Sequence, residues 1–192
     1  MIDNKQFDAL LKEFNEFEML REQLIRKSRD ILKSSKQLIY ALHREDNTSA
    51  KTHLATIKQD YSQLQKIALG NILLVSEGSY KIAAQEYVEA VCYYGYVVDR
   101  KIHSAAQLKV TPSHYLLGLF DLTGELVRKA INDAIKGDPS SAVEIRGFVE
   151  QIYGQMIKFD FRESELRRNF DRVKHDIKRL DDLVLSLKLK NA

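Results

Sequence analysis

Two pairs of acidic residues stand out because they lie in the most apolar parts of the chain. Glu86 and Glu89 are the only carboxylates between Ile82 and Val98, and their i, i+3 spacing places both on one face of a helix. A buried carboxylate is costly unless a cation or a metal ion accompanies it. Solvated charge is the usual explanation of such a pair on a polar surface helix, but the apolar surroundings weaken that explanation here.

The second pair follows Pro112 in the chain. Asp121 and Glu125 are four residues apart, again on one helical face, and Gly118 and Gly124 are predicted to let a neighbouring helix approach closely. If the two acidic helices pack antiparallel, the four carboxylates converge. We therefore predict a site built from oxygen ligands alone.

A cluster of this kind favours a hard cation, Mg²⁺ or Mn²⁺, over zinc or copper. A metal ion held there can activate water and stabilise a phosphoryl oxygen during in-line attack. Arg128 lies one turn beyond Glu125 and is predicted either to bind phosphate or to form a structural salt bridge. Core ion pairing is the alternative role of the carboxylates themselves.

The segments that must position these residues are predicted to be helices. Only 8 Gly and 2 Pro occur among 192 residues, which leaves little material for turns between strands. Apolar spacing and capping signals predict a long first helix and five further main helices, with a connector at 100–111 that includes at most a short helix. The helices are predicted at about 4–43, 48–69, 80–98, 112–136, 140–158 and 163–188. Thr48 or Ser49 is expected to cap the second helix.

The fold class is therefore predicted to be all-α, as one elongated bundle forming a single domain over residues 1–192. The last helix has an unbroken heptad stripe, and the first would span about 60 Å if continuous. Both features favour self-assembly, although a monomer that folds both seams inward is the alternative. The stripe comprises Leu166, Phe170, Val173, Ile177, Leu180, Val184 and Leu187.

Composition and the first residues limit which partners and which cellular compartment can be expected. The net charge of +3 is too small to indicate nucleic acid as a partner by itself. A single cysteine, Cys92, excludes an intrachain disulfide and is expected to be a buried thiol in a reducing cytoplasm. The first residues do not read as a signal peptide, and the longest apolar run contains two Glu, so no membrane span is expected.

Other candidate sites are weaker. No Glu-x-x-His occurs, so the helical di-iron pattern lacks its nitrogen ligands, and no phosphate-binding glycine loop is present. His175 is expected to be solvated on the charged side of the last helix. The tyrosines at 87, 93, 94 and 96 are predicted to belong to the core rather than to stack on bases.

Three segments give the chain a family resemblance. It closely resembles translin-associated factor X, and more distantly translin, over nearly its whole length. The resemblance is carried by KSRDILKSSKQLIYALHR (Lys27 to Arg44), QEYVEAV (Gln85 to Val91) and KVTPSHYLLGLFDLTGELVRKAIN (Lys109 to Asn132).

The resemblance implies a seven-helix translin-type fold that assembles into a hollow octamer. It also implies Mg²⁺-dependent cleavage of single-stranded RNA inside that shell. The family's catalytic carboxylates match Glu86, Glu89, Asp121 and Glu125, all of which are present. The long insertion of the eukaryotic factor before the Val-Thr-Pro segment is absent here, which favours an assembly of identical subunits.

The RNA-contacting strip of translin is not matched. Where translin is rich in His and Arg, this chain has Gly-Ser-Tyr-Lys, which leaves Lys81 as the closest basic candidate. Arg29, Lys33 and Lys36 on the first helix are further candidates, with a solvated face as the alternative. The leading prediction is a metal-dependent endoribonuclease that also cuts single-stranded DNA slowly. The alternatives are a non-catalytic nucleic-acid-binding shell and a structural helical adaptor.

Overall fold

The computed structural model describes residues 3–162 and 164–190 of the chain. Within them the chain forms eight α-helices, one π-helical segment, Gly95–Asp99, that follows the fourth helix directly, and no strands. This confirms the all-α prediction. The helices are α1 (Asn4–His43), α2 (Asn47–Ala68), α3 (Ile72–Ser76), α4 (Gly78–Tyr94), α5 (Ala105–Leu108), α6 (Pro112–Ile135), α7 (Ser140–Met156) and α8 (Ser164–Lys190).

Local signals explain where most helices begin. Thr111 accepts a hydrogen bond from the backbone N–H of His114 and Pro112 occupies the first turn, so α6 begins as predicted. The predicted cap of α2 is wrong, since the side chain of Asp46 accepts from Ser49 N–H at 3.0 Å. The single-domain prediction covers residues 1–192, of which 1–2, 163 and 191–192 lie outside the described part. The predicted start of α8, Glu163, is one of these residues.

The two acidic helices occupy the centre of the bundle. Helix α1 packs against α2 and α4, and α6 packs against α4, α7 and α8. Being covered on several sides, α4 and α6 contain a long series of fully buried apolar side chains, which explains their composition. Carboxylates on these two helices are therefore held in largely apolar surroundings.

Helices α4 and α6 run parallel, so the antiparallel packing on which the predicted convergence of the carboxylates was conditional does not occur. Near their starts, the rings of Tyr80 and His114 lie 6.1 Å apart. Further along both helices, Gln85 contacts Gly118 and its side chain donates to Asp121. Residues 95–111 return the chain to the end where α4 began. The carboxylates still reach the same level, because both pairs lie at a similar distance from the helix starts.

The heptad stripe of α8 packs inside the chain. Its apolar residues are buried or half-buried, and α8 contacts α6 and α7, so this seam is not the self-assembly surface expected from the sequence. The first half of α1 differs, because Phe7, Leu10 and Phe14 are more than half exposed. No helix in the described part of the chain is long and apolar enough to cross a membrane.

Candidate metal and RNA site

Glu89 lies at the centre of the candidate site. It is 9% exposed, and no hydrogen bond or ion pair reaches its carboxylate from any described residue. Burial, followed by the like charges of Asp121, Glu86 and Glu125, raises its pKa to about 9. The side chain is an acid whose charged form lacks the partner that a buried carboxylate needs.

Glu86 lies one turn before Glu89 and faces α1. Its Oε2 accepts a hydrogen bond from Ser35 Oγ at 2.9 Å, while Oε1 has no partner among the described residues. Burial raises the pKa of Glu86; the Ser35 hydrogen bond opposes this, and the charge of Asp121 adds to it. One oxygen of this carboxylate thus remains available to a ligand.

Glu125 is held from two sides through a single oxygen. Its Oε2 lies 2.7 Å from Nε2 of His43 and 3.5 Å from the guanidinium of Arg128. Burial raises the pKa of Glu125, but the contacts with His43 and Arg128 lower it by more, so it lies below its ordinary value. Glu125 is therefore stabilised in its charged form, whereas the charged forms of Glu86 and Glu89 are disfavoured.

Asp121 differs from the other three because both of its oxygens are engaged. Gln85 Nε2 donates to Oδ2, and the guanidinium of Arg172 on α8 donates to Oδ1. Arg172 is 51 residues from Asp121 in sequence and was not among the predicted site residues. Its position on the charged flank of a heptad helix carries no local sign of this contact.

Three of the four predicted carboxylates line one cleft of about 530 Å³ between α1, α4 and α6. Glu86, Glu89 and Glu125 lie on its wall together with Lys36 and Arg128. Asp121 does not line the cleft, although its charge acts on Glu86 and Glu89. The cleft thus combines a partly uncompensated acidic wall with two basic side chains.

The donor set fits a hard divalent cation. Glu89 offers two oxygens without partners, and Glu86 and Glu125 offer one each. Among the described residues, however, no three His, Cys, Asp or Glu side chains are arranged around a point that could hold a metal ion. Because the described carboxylates are not arranged around one point, binding a cation would require them to move. The four-carboxylate metal site remains a prediction.

The predicted basic residues are scattered. Lys36 and Arg128 line the acidic cleft, and Lys36 is close enough to lower the pKa of Glu86. Lys81 lines a separate cleft near the starts of α4 and α6. Arg29 and Lys33 are exposed on α1, and neither lines the acidic cleft. Only two of the five are therefore placed next to the carboxylates.

Residues that were predicted to have no role in the site lie outside it. Cys92 is fully buried, and burial raises the pKa of its thiol to about 12. Tyr87 stacks on Tyr61 with ring centroids 4.1 Å apart, which confirms its role in the core. His175 is exposed, as predicted. His43 was overlooked, because its partner Glu125 lies 82 residues away in sequence.

Comparison with known proteins gives consistent matches over most of the chain. The Translin family model matches residues 19–191. Translin-associated protein X of Rattus norvegicus is 26% identical over 212 aligned residues, which cover 89% of this chain and 73% of that protein. An uncharacterized protein of Methanocaldococcus jannaschii is 31% identical over 157 residues, covering 79% and 69% respectively.

Two solved structures extend the comparison to three dimensions. The crystal structure of apo-NeC3PO matches with a TM-score of 0.89 at 29% identity, covering 96% of this chain and 97% of that one. The AfC3PO–duplex RNA complex matches with a TM-score of 0.84 at 24% identity, covering 96% of this chain and 97% of that one. The second match supports the fold alone.

Proposed function

Because the chain belongs to the Translin family, we propose that it is a metal-dependent endoribonuclease that cleaves single-stranded RNA within a shell of identical subunits, as an octamer. The observation that carries the proposal is Glu89, a buried carboxylate that has no partner among the described residues and lies beside Glu86 and Glu125 in one cleft. A site with this excess of negative charge is suited to a divalent cation. The AfC3PO structure that shares the fold is a complex with duplex RNA, and we carry RNA over to this chain as the proposed ligand class.

In this proposal Glu86, Glu89, Asp121 and Glu125 hold Mg²⁺ or Mn²⁺. The bound ion would supply a water of lowered pKa and stabilise charge on the phosphoryl oxygens. Glu89 contributes oxygens that need not leave a protein partner first, whereas Asp121 must release Arg172 or Gln85 before an oxygen is available. Asp121 is thus the ligand whose recruitment depends on movement of other side chains.

Arg128 and Lys36 are the residues that bind the substrate in this proposal. Both line the cleft that contains the carboxylates, and more than half of the Arg128 side chain is exposed. Their positive charges place a phosphodiester beside the acidic wall, which would otherwise repel it. A mechanism through activated water does not need the RNA 2′-hydroxyl, so slow cleavage of single-stranded DNA is also expected.

A second candidate function is an RNA-binding shell without catalysis. It is favoured by the contacts of Ser35, His43 and Arg172, which occupy three of the four carboxylates and leave no metal-ligand arrangement among the described residues. This alternative predicts salt-sensitive RNA binding with no turnover in any divalent metal.

The two functions are separated by one cleavage assay. Labelled unstructured RNA is incubated with the full chain in Mg²⁺, in Mn²⁺ and in a chelator, while assembly mass is measured by light scattering. Cleavage is expected only with metal, and Glu89→Gln and Asp121→Asn should each reduce it by about a hundredfold or more with the assembly intact. Glu144→Gln, at an exposed acid on α7 outside the cleft, is the matched control. Cleavage that survives in the chelator or in both site variants contradicts the proposal.

A further inference from the structure

His43 is the last residue of α1, and its imidazole joins three helices. The side chain is 5% exposed. Its Nε2 lies 2.7 Å from Glu125 Oε2, and its Nδ1 lies 3.2 Å from the hydroxyl of Tyr93 on α4. The side-chain nitrogen of Asn132 on α6 is 3.5 Å from the same Nδ1. Both ring nitrogens are therefore engaged by neighbouring polar groups.

The carboxylate of Glu125 fixes a hydrogen on one of the two ring nitrogens. An ionised carboxylate only accepts hydrogen bonds, so the hydrogen between His43 and Glu125 resides on Nε2. Nδ1 has room for one hydrogen bond; the Tyr93 hydroxyl, at 3.2 Å, is the nearer partner, and the Asn132 side-chain nitrogen lies further away at 3.5 Å. In this arrangement both ring nitrogens are engaged by protein groups. It leaves no ring nitrogen available to bind a metal ion directly.

The consequence for Glu125 is that one oxygen is occupied and the other is not. His43 and Arg128 both contact Oε2, and within the described chain Oε1 has neither a hydrogen bond nor an ion pair. The buried imidazole fixes the carboxylate's rotation, because it is itself held by Tyr93. Arg128, which is more than half exposed, cannot fix it as firmly.

We propose that His43 is a positioning residue that orients Glu125 so that Oε1 binds the divalent cation, with Tyr93 holding the imidazole ring in place. This inference rests on the proposed metal site. Hydrogen-bonded partners of ligating side chains commonly change metal affinity by about 10- to 100-fold when removed. His43 acts through Glu125 and does not contact the metal.

The test measures Mn²⁺ affinity by calorimetry on full-length, chelator-treated protein without RNA. His43→Leu keeps an apolar volume and loses the donor, and is expected to weaken Mn²⁺ binding by about 10- to 100-fold. His43→Gln restores an N–H donor near the Nε2 position and should remain within about threefold of the wild type. Tyr93→Phe keeps the ring but releases Nδ1, and should weaken binding by about threefold to tenfold.

Each outcome decides the proposal. Unchanged Mn²⁺ affinity in folded His43→Leu overturns it, and so does a His43→Gln protein as weak as His43→Leu, since the imidazole itself would then be the ligand. Circular dichroism establishes folding; if His43→Leu does not fold, unchanged affinity in Tyr93→Phe overturns the proposal.

RNA cleavage by the wild type, measured in parallel, separates this inference from the proposed function. Protein that binds Mn²⁺ in a His43-dependent way but cuts no RNA retains the positioning role and loses the nuclease. If the wild type cleaves RNA and the His43 substitutions leave Mn²⁺ affinity unchanged, the nuclease is retained and the positioning role of His43 is lost. A wild type that binds no Mn²⁺ overturns both.

Discussion

Gly118 on α6 lies directly against Val88 on α4. A Cβ atom added to Gly118 would come within 2.5 Å of Val88 Cβ and 2.8 Å of the Gln85 carbonyl oxygen. Contacts that short require one helix to shift. The glycine therefore sets the spacing between the two helices at the level where Glu86 and Glu89 meet the α6 carboxylates.

Gly118→Ala is expected to lower the free energy of unfolding by about 1–3 kcal/mol and to reduce metal-dependent cleavage, because α4 and α6 must move apart. Gly124→Ala on the same helix is the matched control. Apart from its chain neighbours and the nearby backbone of α6, no atom in the described chain lies within 4 Å of the added Cβ there, so the close approach expected at Gly124 is wrong. Since alanine favours the helix, Gly124→Ala should stabilise the protein by about 0.5–1 kcal/mol. Urea denaturation followed by circular dichroism measures both, and equal effects would contradict this role of Gly118.

Metal-free protein should lose stability as the pH rises. The pKa of Glu89 is raised by burial and by the neighbouring carboxylates to about 9, so between about pH 5 and pH 9 the folded state binds a proton that the unfolded state has lost. The contribution of this proton to the free energy of unfolding therefore falls by at most about 1.4 kcal/mol for each unit by which the pH rises. Glu89→Gln removes it, so the variant's stability should depend less on pH.

The measurement is urea denaturation in a chelator across that pH range. Glu144→Gln, outside the cleft, should follow the wild type. If the wild type and Glu89→Gln lose stability equally as the pH rises, then Glu89 is not the buried acid described here.

Arg172 occupies an oxygen of Asp121 that the proposed metal ion would need. Its guanidinium donates to Asp121 Oδ1, but its side chain is 47% exposed, so the ion pair is worth only about 1 kcal/mol. Removing it by Arg172→Ala should tighten Mn²⁺ binding by about fivefold, while leaving an acidic wall that binds RNA less well. Arg167→Ala, at an exposed arginine of the same helix that pairs with Asp171, controls for the loss of a charge. Mn²⁺ titration should show no gain for Arg167→Ala; equal gains would indicate a general charge effect.

Cys92 should resist alkylation until the chain unfolds. Burial raises the pKa of its thiol to about 12, so almost no thiolate is present at pH 8, and the side chain is fully buried. Iodoacetamide followed by intact-mass measurement should show no adduct on the native protein and one adduct in guanidinium chloride. Rapid labelling of native protein would show that α4 opens locally near Glu89.

The parts of the structure that depend on short-range pattern were predictable. The Thr111–Pro112 start of α6 and the helix pairs of carboxylates follow from neighbours in sequence. His43 and Arg172 could not be found this way, because each reaches its carboxylate across at least 51 residues of chain. The relative direction of α4 and α6 depends on the path of residues 95–111, whose composition carries no periodic signal.

The carboxylates, His43 and Arg172 all come from one chain. In the proposed shell, each subunit would then build the constellation described here from its own side chains. In mixed assemblies of wild-type and Glu89→Gln subunits, the turnover contributed by each intact subunit should not depend on the identity of the others. Total cleavage activity should then rise linearly with the fraction of intact subunits, because each active site acts independently of the others.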